Sequence, residues 1–338
     1  CGGGYRHGFF SHPMTTAAQL LAALRTHPDG VAGTDLCQQL HVTRAAVWSH
    51  IESLREAGFE IIASPHRGYQ LVSAPDALLA VDLQSRLIQD QVIGSTVRVL
   101  QNTTSTNDEA SRAALEGHPE GLVIFAESQS AGRGRMGRRW SSPTGRGLWF
   151  SALLRPSLTP GECTQLTAAS AIALVRAIQS ATGITPEIKW PNDLLIKGKK
   201  IAGILTEMSA ELEHVRSVVL GIGIDVNQTA SEFPADLRGI ATSLKLATGK
   251  NVSRPDLAEA VLRNLDHEYA RILAGNFAAV AEEWASHCST LGKQATIDMG
   301  TRRVRGRAEA LDENGALLLR TEHGRIERII GGEVTLTK

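Results

Sequence analysis

Between positions 128 and 161 the chain carries Arg133, Arg135, Arg138, Arg139, Arg146 and Arg155 and not one Asp or Glu. The densest part, 127–140, reads ESQSAGRGRMGRRW. Guanidiniums present paired donors to phosphate or carboxylate oxygens, and glycines let backbone N–H groups come close to an anion. Ordering flexible backbone costs ~1–2 kcal/mol per residue. A loop this poor in apolar side chains is therefore expected to settle into one shape when a phosphate-bearing ligand arrives. Gly132, Gly134 and Gly137 also spell the G-x-G-x-x-G spacing of a dinucleotide-binding turn, but such a turn must open an apolar helix. Here RRWSSPTG follows, with Pro143, which argues against that reading.

Two further clusters carry polar chemistry. Thr103, Thr104, Ser105, Thr106 and Asn107 precede the amphipathic run DEASRAALEG. They sit where a helix begins, a place that offers free N–H donors and a partial positive charge. Caps alone would use the same residue types. Farther on, 188–208 reads IKWPNDLLIKGKKIAGILTEM. Pro191, Asn192 and Asp193 have turn chemistry, and the flanking apolar runs make a hairpin tipped by Lys197, Gly198, Lys199 and Lys200. Lys189, Asn192 and Asp193 are close enough to that tip for cations and a carboxylate to converge on a phosphate and its metal. VVLGIGIDVN, 218–227, reads as a buried strand in which Gly221 and Gly223 leave room for a flat ligand.

The elements that position these clusters follow from periodicity. Leu20, Leu21 and Leu24 recur at helical spacing, and Thr34 reads as the N-cap of a short second helix bearing Leu36 and Leu40. Thr43 caps a third helix, with Val47, Ile51 and Leu54 on one face and Gly58 ending it. FEIIAS, the turn PHRG and YQLVSA form a hairpin, which completes a winged helix-turn-helix. Thr43, Arg44, Ser49 and His50 then lie on the open face of the groove-entering helix, with Arg67 at the wing tip, as candidate DNA contacts. Acids and bases nearly cancel in this unit, so its attraction for phosphate is modest. A strand LVIFAES, a strand GLWFSALL and a helix over 161–182 make an α/β layer. The tail alternates apolar and polar residues in ATIDM, RVRGRAEAL, ALLLR and RIERIIGGEVTL, with a turn at Asn314 and Gly315, as in an SH3-like barrel.

Ser105-Thr106-Asn107, the run 127–135, Lys189-Trp190-Pro191-Asn192-Asp193, and 198–205 with Glu207 together resemble the biotin protein ligases. The resemblance covers about 16–338, because the winged unit is similar to that of the bifunctional ligase-repressor subgroup. It implies an α+β chain with an N-terminal winged helix-turn-helix, a central α/β biotin/lipoate-ligase-like catalytic domain and a C-terminal SH3-like β-barrel. It also implies activation of biotin by ATP to biotinyl-5'-AMP, then transfer to a lysine of the biotin carboxyl carrier protein of acetyl-CoA carboxylase. By motif matching, Ser105, Thr106, Asn107 and Gln129 bind biotin, with Arg133 nearby, and Gly134 and Arg135 close over the carboxyl and phosphate. Lys200 neutralises charge on the α-phosphate. Arg138 and Trp140 cover the adenylate, Lys189 and Asn192 join the ATP site, and Asp193 holds Mg2+. The resemblance further implies that adenylate binding favours a homodimer, which presents two winged helices to operator DNA of biotin genes. A biotin-sensing repressor with little ligase activity is the alternative, and a lipoate ligase a third reading. Met136 stands where the family often has a basic residue.

Composition bounds the rest. At 338 residues more than one domain is expected. The expected division is 14–74 winged helix, 75–80 linker, 81–286 catalytic and 287–338 C-terminal, with 1–13 a disordered extension before Met14. Lys plus Arg and Asp plus Glu both number 35, so any nucleic-acid or phosphate site must be local. The four cysteines have no C-x-x-C spacing, which disfavours zinc and fits a reducing cytoplasm. No run of eighteen apolar residues exists for a membrane span, and the start lacks a secretory apolar core.

Overall fold

The computed structural model describes residues 14–87, 90–212 and 214–336. The expected extension over 1–13 lies outside them. Helices α1 (Thr16–Thr26), α2 (Gly33–Leu40) and α3 (Arg44–Glu56) are followed by the antiparallel hairpin β1 (Glu60–Ser64) and β2 (Gly68–Ser73). The Thr43 hydroxyl accepts from Ala46 N at 3.2 Å, as expected of a cap. Thr34 does not cap: α2 starts at Gly33, two residues earlier than a Thr34 cap would give, with Ala32 as N-cap, so Thr34 lies inside the helix. This unit has a core of its own, built from Leu20, Leu21, Leu24, Leu36, Val47, Ile51 and Phe59.

The segment expected to be a linker is anchored. Leu78 N donates to Glu127 Oε1 at 2.9 Å, and Asp76 Oδ1 accepts from Arg254 N at 2.8 Å. Helix α4 (Ala80–Arg86) then packs on α1, with the buried Asp82 paired to Arg25 and to Arg86.

The central layer holds β3 (Thr96–Thr103), α5 (Thr106–Leu115), β4 (Leu122–Gln129), β5 (Gly147–Leu154), α6 (Cys163–Thr182), β6 (Glu187–Lys189), β7 (Asp193–Ile196), β8 (Lys199–Glu211) and β9 (His214–Asp225). A 3-10 turn, Pro160–Glu162, precedes α6, so the expected helix from 161 begins two residues later. The strands form one seven-stranded sheet in the order β3-β4-β5-β9-β8-β7-β6, parallel only between β3 and β4. Helix α5 packs against β4, β5 and β9 over Ala110, Ala113, Leu122 and Val219. Beyond it come α7 (Leu244–Thr248), α8 (Arg254–Leu273) and α9 (Phe277–His287); α6 packs on α8 and α9.

The tail forms β10 (Gln294–Asp298), β11 (Arg303–Leu311), β12 (Leu317–Thr321), β13 (Ile326–Ile329) and β14 (Glu333–Leu336), an antiparallel sheet ordered β13-β12-β11-β10-β14. The run RIERIIGGEVTL is two strands, broken at Ile330, Gly331 and Gly332, and they lie at opposite edges of the sheet. The unit is less separate than its sequence suggests. Ala295, Ile297, Leu317 and Leu319 belong to the same continuous core as Phe150, Ile172 and Trp284.

Candidate functional site

The three polar clusters line one cavity of about 450 Å³. Ser105 is the N-cap of α5, yet its side chain makes no cap hydrogen bond. It is buried instead, with Thr106 and Asn107, on the cavity wall. Gln129, at the end of β4, fixes this helix start: its Oε1 accepts from Thr106 N at 2.8 Å and its Nε2 donates to Ser142 Oγ at 2.9 Å. The Ser151 hydroxyl donates to Asn107 Oδ1 at 2.6 Å, and Asn107 Nδ2 donates to Glu207 Oε2 at 2.7 Å. These groups make a rigid wall of donors and acceptors suited to a small polar ring system.

The arginine loop is folded over the cavity. Trp140 N donates to Gly132 O at 2.8 Å and Gly134 N to Arg138 O at 2.7 Å, closing a short turn around the 3-10 segment Arg135–Gly137. Although acid-free itself, the loop finds carboxylates on other elements. Arg133 pairs with Asp108 and Glu207, each at 2.9 Å, and Arg138 pairs with Glu333 of the C-terminal sheet. Arg135 differs. Among the described residues it donates to no carboxylate; its one side-chain hydrogen bond goes to Asn192 Oδ1 at 3.4 Å, and burial lowers its pKa against a smaller opposing pull from Asp193. It borders the cavity together with Arg133, Arg138 and Arg139.

Lys200 lies in β8 rather than at the hairpin tip, which is Lys197 and Gly198. The ladder pairs Leu195 with Lys200 and then Leu194 with Ala202, a bulge that re-aims the strand. Lys200 Nζ stands 2.5 Å from Asp193 Oδ1 and 5.2 Å from the Trp140 ring centre. Lys189 and Asn192 border the same cavity. The room left by the β9 glycines is taken by the protein's own side chains. A Cβ on Gly223 would meet the Trp140 indole at 2.6 Å, and one on Gly221 would meet Asn107 Oδ1 at 2.1 Å. Gly203, paired with Gly223, lies under the same indole. These glycines thus seat Trp140 and Asn107, not a flat ligand directly.

Asp225 was not evident from sequence. It ends β9 with 6% exposure, borders the cavity, and has its pKa raised well above the carboxylate range by burial, opposed by a Gln228 hydrogen bond and by Lys200. Its only sequence signal is a carboxylate closing an apolar strand.

In the winged unit Thr43, Arg44 and Ser49 are exposed, as is Arg67 in the β1–β2 turn, while His50 is half-buried. Among the described residues no helix is long and apolar enough to cross a membrane, and no group of three His, Cys, Asp or Glu side chains gathers as a metal cage.

Comparison with known proteins accounts for this arrangement. The chain is 38% identical to the bifunctional ligase/repressor BirA of Bacillus subtilis over 306 residues, 90% of this chain and 94% of that one. The chain belongs to the biotin protein ligase family. The Escherichia coli bifunctional ligase/repressor BirA is 29% identical, covering 94% and 96% of the two chains. The biotin--[acetyl-CoA-carboxylase] ligase of Paracoccus denitrificans is 34% identical, over 67% of this chain and 95% of that one. The biotin/lipoate A/B protein ligase family model matches 98–225, an HTH domain model 16–70, and a biotin protein ligase C-terminal domain model 290–336. The biotin protein ligase of Aquifex aeolicus, solved with biotin and ATP, superposes with a TM-score of 0.62 at 30% identity, over 72% of this chain and 99% of that one.

Proposed function

We infer that this protein is a bifunctional biotin ligase and repressor. It activates biotin with ATP to biotinyl-5'-AMP and transfers biotin to a lysine of the biotin carboxyl carrier protein of acetyl-CoA carboxylase. The observation that carries this reading is the convergence of Lys200, Arg135 and the Thr106–Asn107–Gln129 wall on one cavity. In the first step a biotin carboxylate oxygen attacks the α-phosphorus and pyrophosphate leaves. Lys200 and Arg135 stabilise the charge that builds on the phosphoryl oxygens, and the folded loop keeps water from the mixed anhydride. In the second step the carrier amine attacks the anhydride carbonyl and AMP departs.

Asp193 is the carboxylate suited to Mg2+. Its Oδ1 is buried and, apart from the Lys200 contact, has no well-directed hydrogen bond among the described residues; Mg2+ is commonly held by one or two carboxylates with substrate phosphates. When bound with ATP, the ion supplies charge neutralisation at the phosphates. The adenylate-bound protein pairs as a homodimer, and Thr43, Arg44, Ser49, His50 and Arg67 face operator DNA of biotin genes. A repressor without ligase activity is disfavoured because Lys200 and Arg135 are both present and both border the cavity.

The test is pyrophosphate release with MgATP and either biotin or lipoate, beside a gel shift on the gene's own upstream promoter. Release with biotin alone and a shift strengthened by biotin and ATP are expected. Release with lipoate instead, or none, overturns the ligase reading; the absence of any shift overturns the repressor half.

A further inference from the structure

Helix α3 buries Val47, Ile51 and Leu54 against its own unit and presents Arg44, Ala45, Trp48 and Ser49 outward. In the middle of that outward stripe Trp48 is 59% exposed, whereas Trp149, Trp190 and Trp284 are at most 3% exposed and Trp140 is half-buried. An indole left in water forgoes the burial that stabilises the others, so a partner that covers it is favoured. The surroundings indicate which partner. Arg44 lies one turn before Trp48 on the same face and has no carboxylate partner among the described residues. Glu52, one turn after, is paired with Arg55 at 2.7 Å, which offsets the charge that would repel a phosphate backbone. Thr43 spends its hydroxyl on the helix cap, leaving Trp48 and Ser49 as the outward side chains in the first two turns beside Arg44 and Ala45.

We propose that Trp48 reads sequence by packing its indole against a thymine methyl in the major groove of duplex DNA. In this groove thymine is set apart by its C5 methyl, and apolar side chains recognise that group. The first turns of a groove-entering helix are the part that reaches base edges. Arg44 on the same helix face and Arg67 in the wing turn serve as phosphate or guanine contacts, so the apolar contact specifies while the cations position. The inference rests on the repressor reading.

The experiment uses the full chain with biotin and MgATP. Duplexes are selected from a randomised pool by the unsubstituted protein, Trp48→Phe and Trp48→Ala, and each thymine of the enriched site is then replaced by uracil, which lacks only the methyl. For the unsubstituted protein, uracil at one thymine per half-site is expected to weaken binding about fourfold, the factor matching burial of one methyl-sized group. Trp48→Ala is expected to lose that sensitivity and the thymine preference, Trp48→Phe to keep part of both, and pyrophosphate release to stay unchanged in each. Indifference to uracil at every position, or a Trp48→Ala protein that enriches the same sequence with the same uracil response, overturns the role of Trp48. If the unsubstituted protein enriches no sequence, the repressor reading itself fails and this inference goes with it. A change of dimerisation in Trp48→Ala without a change in site preference also overturns it, assigning the indole to a protein contact.

Discussion

Lys200 Nζ and Asp193 Oδ1 face each other at 2.5 Å across the bulged β7–β8 ladder. The ammonium is therefore held at the cavity by a carboxylate on the neighbouring strand and by the Trp140 ring before any phosphate is present. Preorganised charge costs little to reorganise when the reaction begins. Lys200→Ala should lower the rate of biotin-dependent pyrophosphate release by about 100- to 1000-fold, the range seen when one transition-state donor is removed. Biotin affinity, set by the Thr106–Asn107–Gln129 wall, should change little. Single-turnover kinetics beside calorimetric biotin titration checks this; a parallel loss of biotin binding would show that Lys200 acts on the ground state.

Among the described residues Arg135 donates to no carboxylate, unlike its loop neighbours Arg133 and Arg138. Its replacement by Gly should weaken retention of the adenylate while leaving the loop's outer anchors to Asp108, Glu207 and Glu333 in place. The expected result is reactive intermediate that escapes and labels lysines of a bystander protein such as serum albumin. Unchanged bystander labelling, scored by streptavidin blot, would remove Arg135 from that role.

The sequence made the types of chemistry legible but not who partners whom. An acid-free arginine loop rightly signals unmet charge locally, yet Asp108, Glu207 and Glu333 come from α5, β8 and β14, contacts that only the folded chain creates. Gly221 and Gly223 report that space is needed at β9; they cannot report that Asn107 and Trp140 fill it. Thr34 and Thr43 look alike as caps, and the difference arises because α2 starts at Gly33 and leaves Thr34 inside. Helical and strand periodicity, by contrast, located the winged unit and most of the central sheet, because each segment has one apolar face that must be buried.

Glu127 and Arg254, at 6% and 4% exposure, tie the segment after the winged unit to the strand that ends in Gln129. Arg254 Nη1 donates to Glu127 Oε2 at 2.6 Å and Arg254 Nη2 to Asp76 O at 2.9 Å. Removing one partner of a buried pair strands the other charge, at a cost of about 3–5 kcal/mol, whereas replacing both with apolar groups is often nearly neutral. Arg254→Met should therefore lower the urea midpoint markedly, and Glu127→Leu combined with Arg254→Met should recover a large part of the loss. If the double variant is as unstable as the single one, the destabilisation comes from the lost bonds to the linker, at Asp76 and at Leu78 N, rather than from the stranded carboxylate.

Asp225 gives a pH dependence with a defined sign. Burial raises its pKa in the folded protein, against the weaker opposing pulls of Gln228 and Lys200, so the folded chain holds the proton more tightly than the unfolded chain. The stabilisation this provides is complete below the ordinary carboxylate pKa of about 3.9 and is lost progressively as pH rises toward the folded value. Asp225→Asn cannot ionise and loses nothing over that interval. The thermal midpoint of Asp225→Asn relative to the unsubstituted protein should therefore rise with pH from about 4 upward and level off once Asp225 is ionised in the folded state. Differential scanning calorimetry across that range checks it, and a difference that stays flat or shrinks with pH would show that the cavity keeps Asp225 charged through the Lys200 ammonium.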